Sequence, residues 1–131
     1  DIVDAARKYD LPLADMAKTY YLLGTRLELN WLRDLMNSYT VDGQWDELAR
    51  AGFRDDLDRV QRKLSVNVLT MKTKEVEGKN IEERIDIWVN RYQFLVDRWQ
   101  KLIGDIKSSD ATNFVAYSVV LRELFDFSQA A

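Results

Sequence analysis

Two long apolar stripes at helical spacing, joined by a short polar turn, constrain this chain more than any other feature. The first stripe is Trp45, Leu48, Ala49, Phe53, Leu57, Val60, Leu64, Val68 and Met71. The second is Ile81, Ile85, Trp88, Val89, Tyr92, Val96, Trp99, Ile103 and Ile106. Steps of three and four place each set on one face of an α-helix. Between them Glu75–Lys79 is polar and contains Gly78, which predicts a turn. Two helices of similar length joined by a short turn predict a long antiparallel hairpin. The sole proline, Pro12, leaves the rest of the chain free of helix breakers of that kind.

The remaining elements follow from the same spacing. A short first helix is expected over about Ile2–Tyr9. Asp10–Pro12 is a helix-start signal for a second helix over about Leu13–Glu28, whose inner face is Leu13, Met16, Ala17, Tyr20, Leu23, Gly24 and Leu27. Asn30 is expected to cap a third helix, Trp31–Ser38. Thr40–Gly43 reads as a loop, and the fourth helix covers about Gln44–Lys72. Asn80 with Glu83 forms a capping-box-like start to the fifth helix, which ends at Lys107–Asp110. The last helix, about Ala111–Phe127, is apolar around most of its circumference, so it is expected to be sandwiched or at an interface. The fold class is all-α: one helical domain over residues 1–131, a bundle of about six helices around the hairpin.

Composition excludes several function classes. The chain has 131 residues, no cysteine and no histidine. Disulfides, Cys/His zinc sites, cysteine nucleophiles and a histidine general base are therefore ruled out. The net charge of -3 and pI near 5.0 give no support for nucleic-acid binding, because no basic field attracts phosphate. No apolar run approaches the length of a membrane span. Asp1–Asp10 is amphipathic and charged, unlike a signal peptide, so the expected compartment is the cytoplasm. The scattered glycines form no phosphate-cradling loop. No catalytic, cofactor-binding or metal-ligating residue is assigned. The opening on Asp, directly in helical pattern, suggests a piece of a longer polypeptide.

A few residues ask for a partner. Asp56 lies in step with Phe53 and Val60 on the apolar side of the fourth helix, and Arg122 lies among Val115, Ser118, Val119 and Phe125 in the last. Burying either charge alone is costly, which predicts an Asp56–Arg122 ion pair between the two helices. That pair would fix the docking of the last helix; a carboxylate or phosphate site on Arg122 is the second reading. Asp46/Arg50, Asp55/Arg59 and Asp58/Arg62 are acid-before-base pairs at i, i+4 and predict a solvated flank. Gly24 and Gly52 fall on inner faces, where glycine usually answers the close approach of a helix or bulky side chain. Leu22, Phe94 and Phe127 fall off their stripes and are the candidate interface residues. The tryptophans read as core.

Three segments carry a resemblance: AKTYYLLGTRLELNWLRD (Ala17–Asp34), QWDELARAGFRDDLDRVQRKL (Gln44–Leu64) and YSVVLRELFDF (Tyr117–Phe127). Their order and spacing resemble the C-terminal helical region of the large-subunit, NAD-specific glutamate dehydrogenases of bacteria, over about Ile2–Phe127. The resemblance implies a parent enzyme that oxidises L-glutamate to 2-oxoglutarate and ammonia with NAD as cofactor. Its catalytic lysine and aspartate and its dinucleotide fold would lie upstream of Asp1. No residue of this chain matches a family catalytic motif, and no βαβ pattern or glycine fingerprint for NAD is present.

The expected function is therefore a non-catalytic C-terminal module that supports packing, assembly or regulation. Its expected partners are the rest of the parent chain or neighbouring subunits, not nucleic acid or membrane. The alternatives are a stand-alone helical protein-interaction module, and a small helical enzyme or effector domain using Arg122 or Arg50.

Overall fold

The computed structural model describes residues 2–38, 47–108 and 114–130, with side chains described over 2–34, 50–105 and 118–130. Among them the chain forms α1 (Ile2–Tyr9), α2 (Leu13–Arg26), α3 (Leu29–Ser38), α4 (Glu47–Leu69), α5 (Ile81–Arg91), α6 (Gln93–Ser108) and α7 (Phe114–Ala130), with a single 3-10 turn at Lys74–Val76. The expected loop at Thr40–Gly43, the side chains of Trp45, Leu48 and Ala49, and the end at Lys107–Asp110 lie outside the described residues or side chains.

The axis of the fold is α4, whose 23 residues extend about 35 Å at 1.5 Å per residue. It packs against α1, α2, α3, α5 and α7. Phe53, Leu57, Val60, Leu64 and Val68 are buried along it, as the stripe predicts. They join Leu23 of α2, its C-cap residue Leu27, Leu29 and Leu32 of α3, and Val120, Leu121 and Leu124 of α7 in one continuous core. Among the described residues four long-range salt bridges are mostly exposed: Lys18–Glu82 at 3.3 Å, Arg26–Asp86 at 2.6 Å, Arg91–Glu75 at 3.3 Å and Arg98–Glu123 at 3.2 Å. Exposed pairs of this kind contribute little, so the packed apolar faces hold the helices together.

The helix ends are set by backbone hydrogen bonds as much as by side chains. Asp10 takes a left-handed φ of 51° and closes α1: its N–H donates to Arg7 O at 3.4 Å, and the Leu11 N–H donates to Ala6 O at 2.9 Å. This is a Schellman closure with aspartate where glycine is commonest. The Asp10–Pro12 start signal thus also ends the preceding helix, and Pro12 itself is the residue before the first turn of α2. Asn80 caps α5 as expected, its Oδ1 accepting the Glu83 N–H at 2.8 Å.

The expected fifth helix divides in two at Tyr92, whose φ of -107° and ψ of 27° leave the helical region. Neither proline nor glycine occurs there. Instead, four aromatic rings meet at the bend. Phe127 lies edge-on to Trp88 at 5.1 Å and to Tyr92 at 6.4 Å, and 5.8 Å from Trp99. The hairpin is consequently shorter than expected. α5 packs on α4, but beyond Tyr92 α6 packs on α7, which lies between α6 and α4.

This arrangement corrects one interface candidate. Phe127 is 4% exposed and belongs to the core. Both neighbouring tryptophans are buried, and among the described residues their indole N–H groups have no hydrogen-bond partner, so ring packing must offset that cost. Phe127→Ala is expected to destabilise the fold by about 3–5 kcal/mol, whereas Phe94→Ala should stay within about 0.5 kcal/mol. Denaturant unfolding of both variants checks this, and equal losses would contradict the assignment.

Candidate functional site

On one side of α4, residues at helical spacing face α7 across a cleft. Its volume is about 550 Å³, and its walls are Gly52, Phe53 and Asp56 from α4 and Ser118, Leu121, Arg122 and Phe125 from α7. The two residues predicted to pair therefore line one cleft. The geometry does not make them a buried pair. Asp56 is half-exposed, and its ion pair is with Arg59 of its own helix at 3.5 Å. Arg122 is exposed. The physical reason is that α4 and α7 leave an open space here, so hydration replaces the partner that burial would have demanded.

The glycines differ in the same way. A Cβ added to Gly52 would meet nothing within 4 Å, so this glycine answers no close approach. At Gly24 a Cβ would collide with the Gln61 carboxamide, as expected of a bulky neighbour. Gly24 lets α4 insert Gln61 against the backbone of α2.

Gln61 belongs to a polar network that the sequence reading did not identify. It lies four residues after Leu57 and three before Leu64, on the apolar face, and is fully buried. Its Nε2 donates to Tyr20 O at 2.7 Å, and its Oε1 accepts from Arg33 Nη2 at 2.9 Å. Arg33 also forms a short ion pair with Asp58 and donates to the Tyr20 hydroxyl at 2.6 Å. Tyr20 OH in turn donates to Asp58 Oδ1 at 2.7 Å. The guanidinium carbon lies 5.6 Å from the Tyr20 ring centroid, a cation–π geometry. Tyr20, Arg33, Asp58 and Gln61 thus tie α2, α3 and α4 at one point. Asp58 is diverted from Arg62, its expected i, i+4 partner.

Burial holds the Tyr20 phenol above its ordinary pKa of 10.0, and its hydrogen bond to Asp58 adds to the rise; the Arg33 charge acts in the opposite direction. The arrangement favours a neutral phenol, so it orders helices rather than supplying a base at neutral pH. The other interface candidates are distributed differently. Phe94 is 79% exposed. Leu22 is half-buried against the core, on a shallow cleft between α2 and α5.

Fold and site together define an all-α helical bundle, with polar groups that join helices and clefts that open between them. Residues 1–126 match the family described as glutamate dehydrogenase, C-terminal, and the chain belongs to that family. A Pseudomonas aeruginosa protein named NAD-specific glutamate dehydrogenase is 34% identical over 131 residues, covering 99% of this chain and 8% of that protein. A Halomonas elongata protein of the same name is 32% identical over 129 residues, covering 98% of this chain and 8% of its own length. One from Mycobacterium tuberculosis is 29% identical over 124 residues, covering 95% and 8% respectively. The chain thus spans 8% of the length of these curated relatives. No solved structure matches it.

Two measurements test the site's geometry. Alanine exceeds glycine in helix propensity by about 1 kcal/mol, so Gly52→Ala should stabilise by up to about that amount. Gly24→Ala should instead destabilise by about 1–3 kcal/mol, because the buried Gln61 must give up its hydrogen bonds. Calorimetric unfolding gives both signs. For Tyr20, a raised folded-state pKa means its contribution is complete below the unfolded value of about 10 and lost as pH rises through the folded value. The stability gap between wild type and Tyr20→Phe should be constant below about pH 9 and narrow above about pH 10. A gap that widens with alkaline pH would refute the assigned sign.

Proposed function

We propose that residues 1–131 act as one helical unit, a non-catalytic C-terminal module of an NAD-dependent glutamate dehydrogenase. The parent would convert L-glutamate to 2-oxoglutarate and ammonia while reducing NAD. The module would pack against the catalytic region or a neighbouring subunit and support assembly or regulation. The observation that carries this reading is the match of nearly the whole chain to a small part of each relative bearing that enzyme's name. The parent's NAD would bind outside this unit.

The α4/α7 cleft supports the docking role, because its apolar residues Phe53, Leu121 and Phe125 are flanked by Asp56 and Arg122. Apolar surface with a few charges at its edge is the character of an interface between protein parts. In this reading Asp56 and Arg122 are the polar contacts of the docked face, and Phe94 provides a separate exposed apolar contact. The alternative, a self-contained interaction module, would use the same cleft for a different protein.

Glutamate-dependent NADH formation should be measured in the full polypeptide with and without residues 1–131, alongside its assembly state. Activity is expected in the intact enzyme, with a loss of activity or assembly on truncation. An intact polypeptide without such activity would overturn the family-based function. Activity, assembly and regulation all unchanged by truncation would overturn the module's role.

A further inference from the structure

One to two turns further along α4 a second cleft, of about 320 Å³, opens against α1. Lys8, Arg59, Arg62 and Lys63 converge on it, with Asp4 and Tyr9 on the α1 wall. Four cations in one cleft contrast with a chain whose net charge is -3. On α4 the three bases stand at i, i+3 and i+4, spacings at which like charges repel. The pattern of acids before bases would neutralise them, but the fold removes that compensation from Arg62. Its i, i+4 acid, Asp58, is held by Arg33 and Tyr20. Among the described residues neither Arg62 nor Lys63 forms an ion pair, and Arg59 is paired with the half-exposed Asp56 at 3.5 Å.

We propose that the α1/α4 cleft docks an acidic protein segment of the larger enzyme, whose carboxylates meet Lys8, Arg62 and Lys63. This deepens the docking role proposed above and rests on it. Charge complementarity identifies the occupant as acidic, and relief of the repulsion along α4 favours its binding. Tyr9 is 44% exposed, and Lys8 Nζ lies 5.4 Å from its ring centroid. An aromatic face beside the cations suits a peptide segment, which brings apolar atoms along with its carboxylates. A nucleic acid is disfavoured because the acidic remainder of the chain would repel its extended backbone.

Zero-length carbodiimide coupling of the full-length enzyme, with peptide mapping, tests the proposal. The reagent joins a lysine amine to a carboxylate in direct contact. Lys8 or Lys63 should couple to Asp or Glu peptides outside residues 1–131. The yield should fall at least about threefold between about 0.1 M and about 1 M salt, as the Debye length shrinks from about 10 to about 3 Å. Arg62→Glu, which keeps both lysines, should lower the yield by about threefold to tenfold, and Arg62→Lys should preserve it.

Coupling of Lys8 and Lys63 only within residues 1–131, or to no carboxylate, would overturn the proposal. Protection of both lysines from acetylation by inorganic pyrophosphate, without such coupling, would also overturn it and indicate a small-anion site. If other residues of the module still crosslink to the rest of the enzyme, the docking role stands and only this cleft's assignment fails. If none does, the docking role fails as well.

Discussion

The Asp58 carboxylate has two cations within reach of its sequence pattern and its fold, and the choice between them shapes much of the molecule. On an isolated helix it would pair with Arg62 one turn later, an interaction worth about 0.2–0.5 kcal/mol. In the fold it faces Arg33 and the Tyr20 hydroxyl instead. That arrangement is partly screened from water, with side-chain exposures of 25% for Arg33 and 32% for Asp58. Charge-assisted hydrogen bonds in such a setting are stronger than an exposed i, i+4 pair. Gln61 completes the network by bonding both Arg33 and the α2 backbone. Three helices are thereby held in one register, and Arg62, beside Lys63 on the α1 side of α4, is left without its acid.

A second constraint operates at the other end of the bundle. α7 is apolar around most of its circumference and must be covered on several sides. α4 covers one side and α6 another. A straight continuation of α5 would have kept α6 beside α4 in a simple hairpin. The bend at Tyr92 turns α6 onto α7 and brings Trp88, Tyr92 and Trp99 around Phe127. Ser128 reinforces the seam, its carbonyl accepting from Asn67 Nδ2 at 3.3 Å.

Much of this was legible in the sequence because helical periodicity is a local property. The stripes of α4, α5 and α6, the turn after Lys72, the Asn80 cap and the close approach at Gly24 all follow from residues within a few turns of one another. What was not legible depends on which helix faces which. Phe127 falls off its local stripe, yet α6 supplies a second apolar wall that no local pattern contains. The break at Tyr92 has no proline or glycine to announce it. Asp56 reads as buried only if α7 closes on α4 along its whole length, and near Gly52 it does not. The Asp58 network could have been suspected from Gln61, a polar residue in step with Leu57 and Leu64. Its partners, however, lie 28 to 41 positions away in the chain.

These facts explain how one central helix can serve both as core and as recognition surface. Its face toward α2 and α3 is saturated: the apolar residues are packed, and Gln61 and Asp58 have partners. Its flanks are not. Toward α7 an apolar cleft retains an acid and a base on its walls, and toward α1 a cluster of cations remains only partly compensated. The interior pairings are largely screened from salt, whereas contacts made on the flanks are not. Assembly through those flanks can therefore respond to ionic conditions and to the partner's charge while the bundle itself remains folded. The same division explains why conservative changes in the Tyr20–Arg33–Asp58–Gln61 network would act mainly on stability, whereas changes in the α1/α4 cluster would act mainly on association.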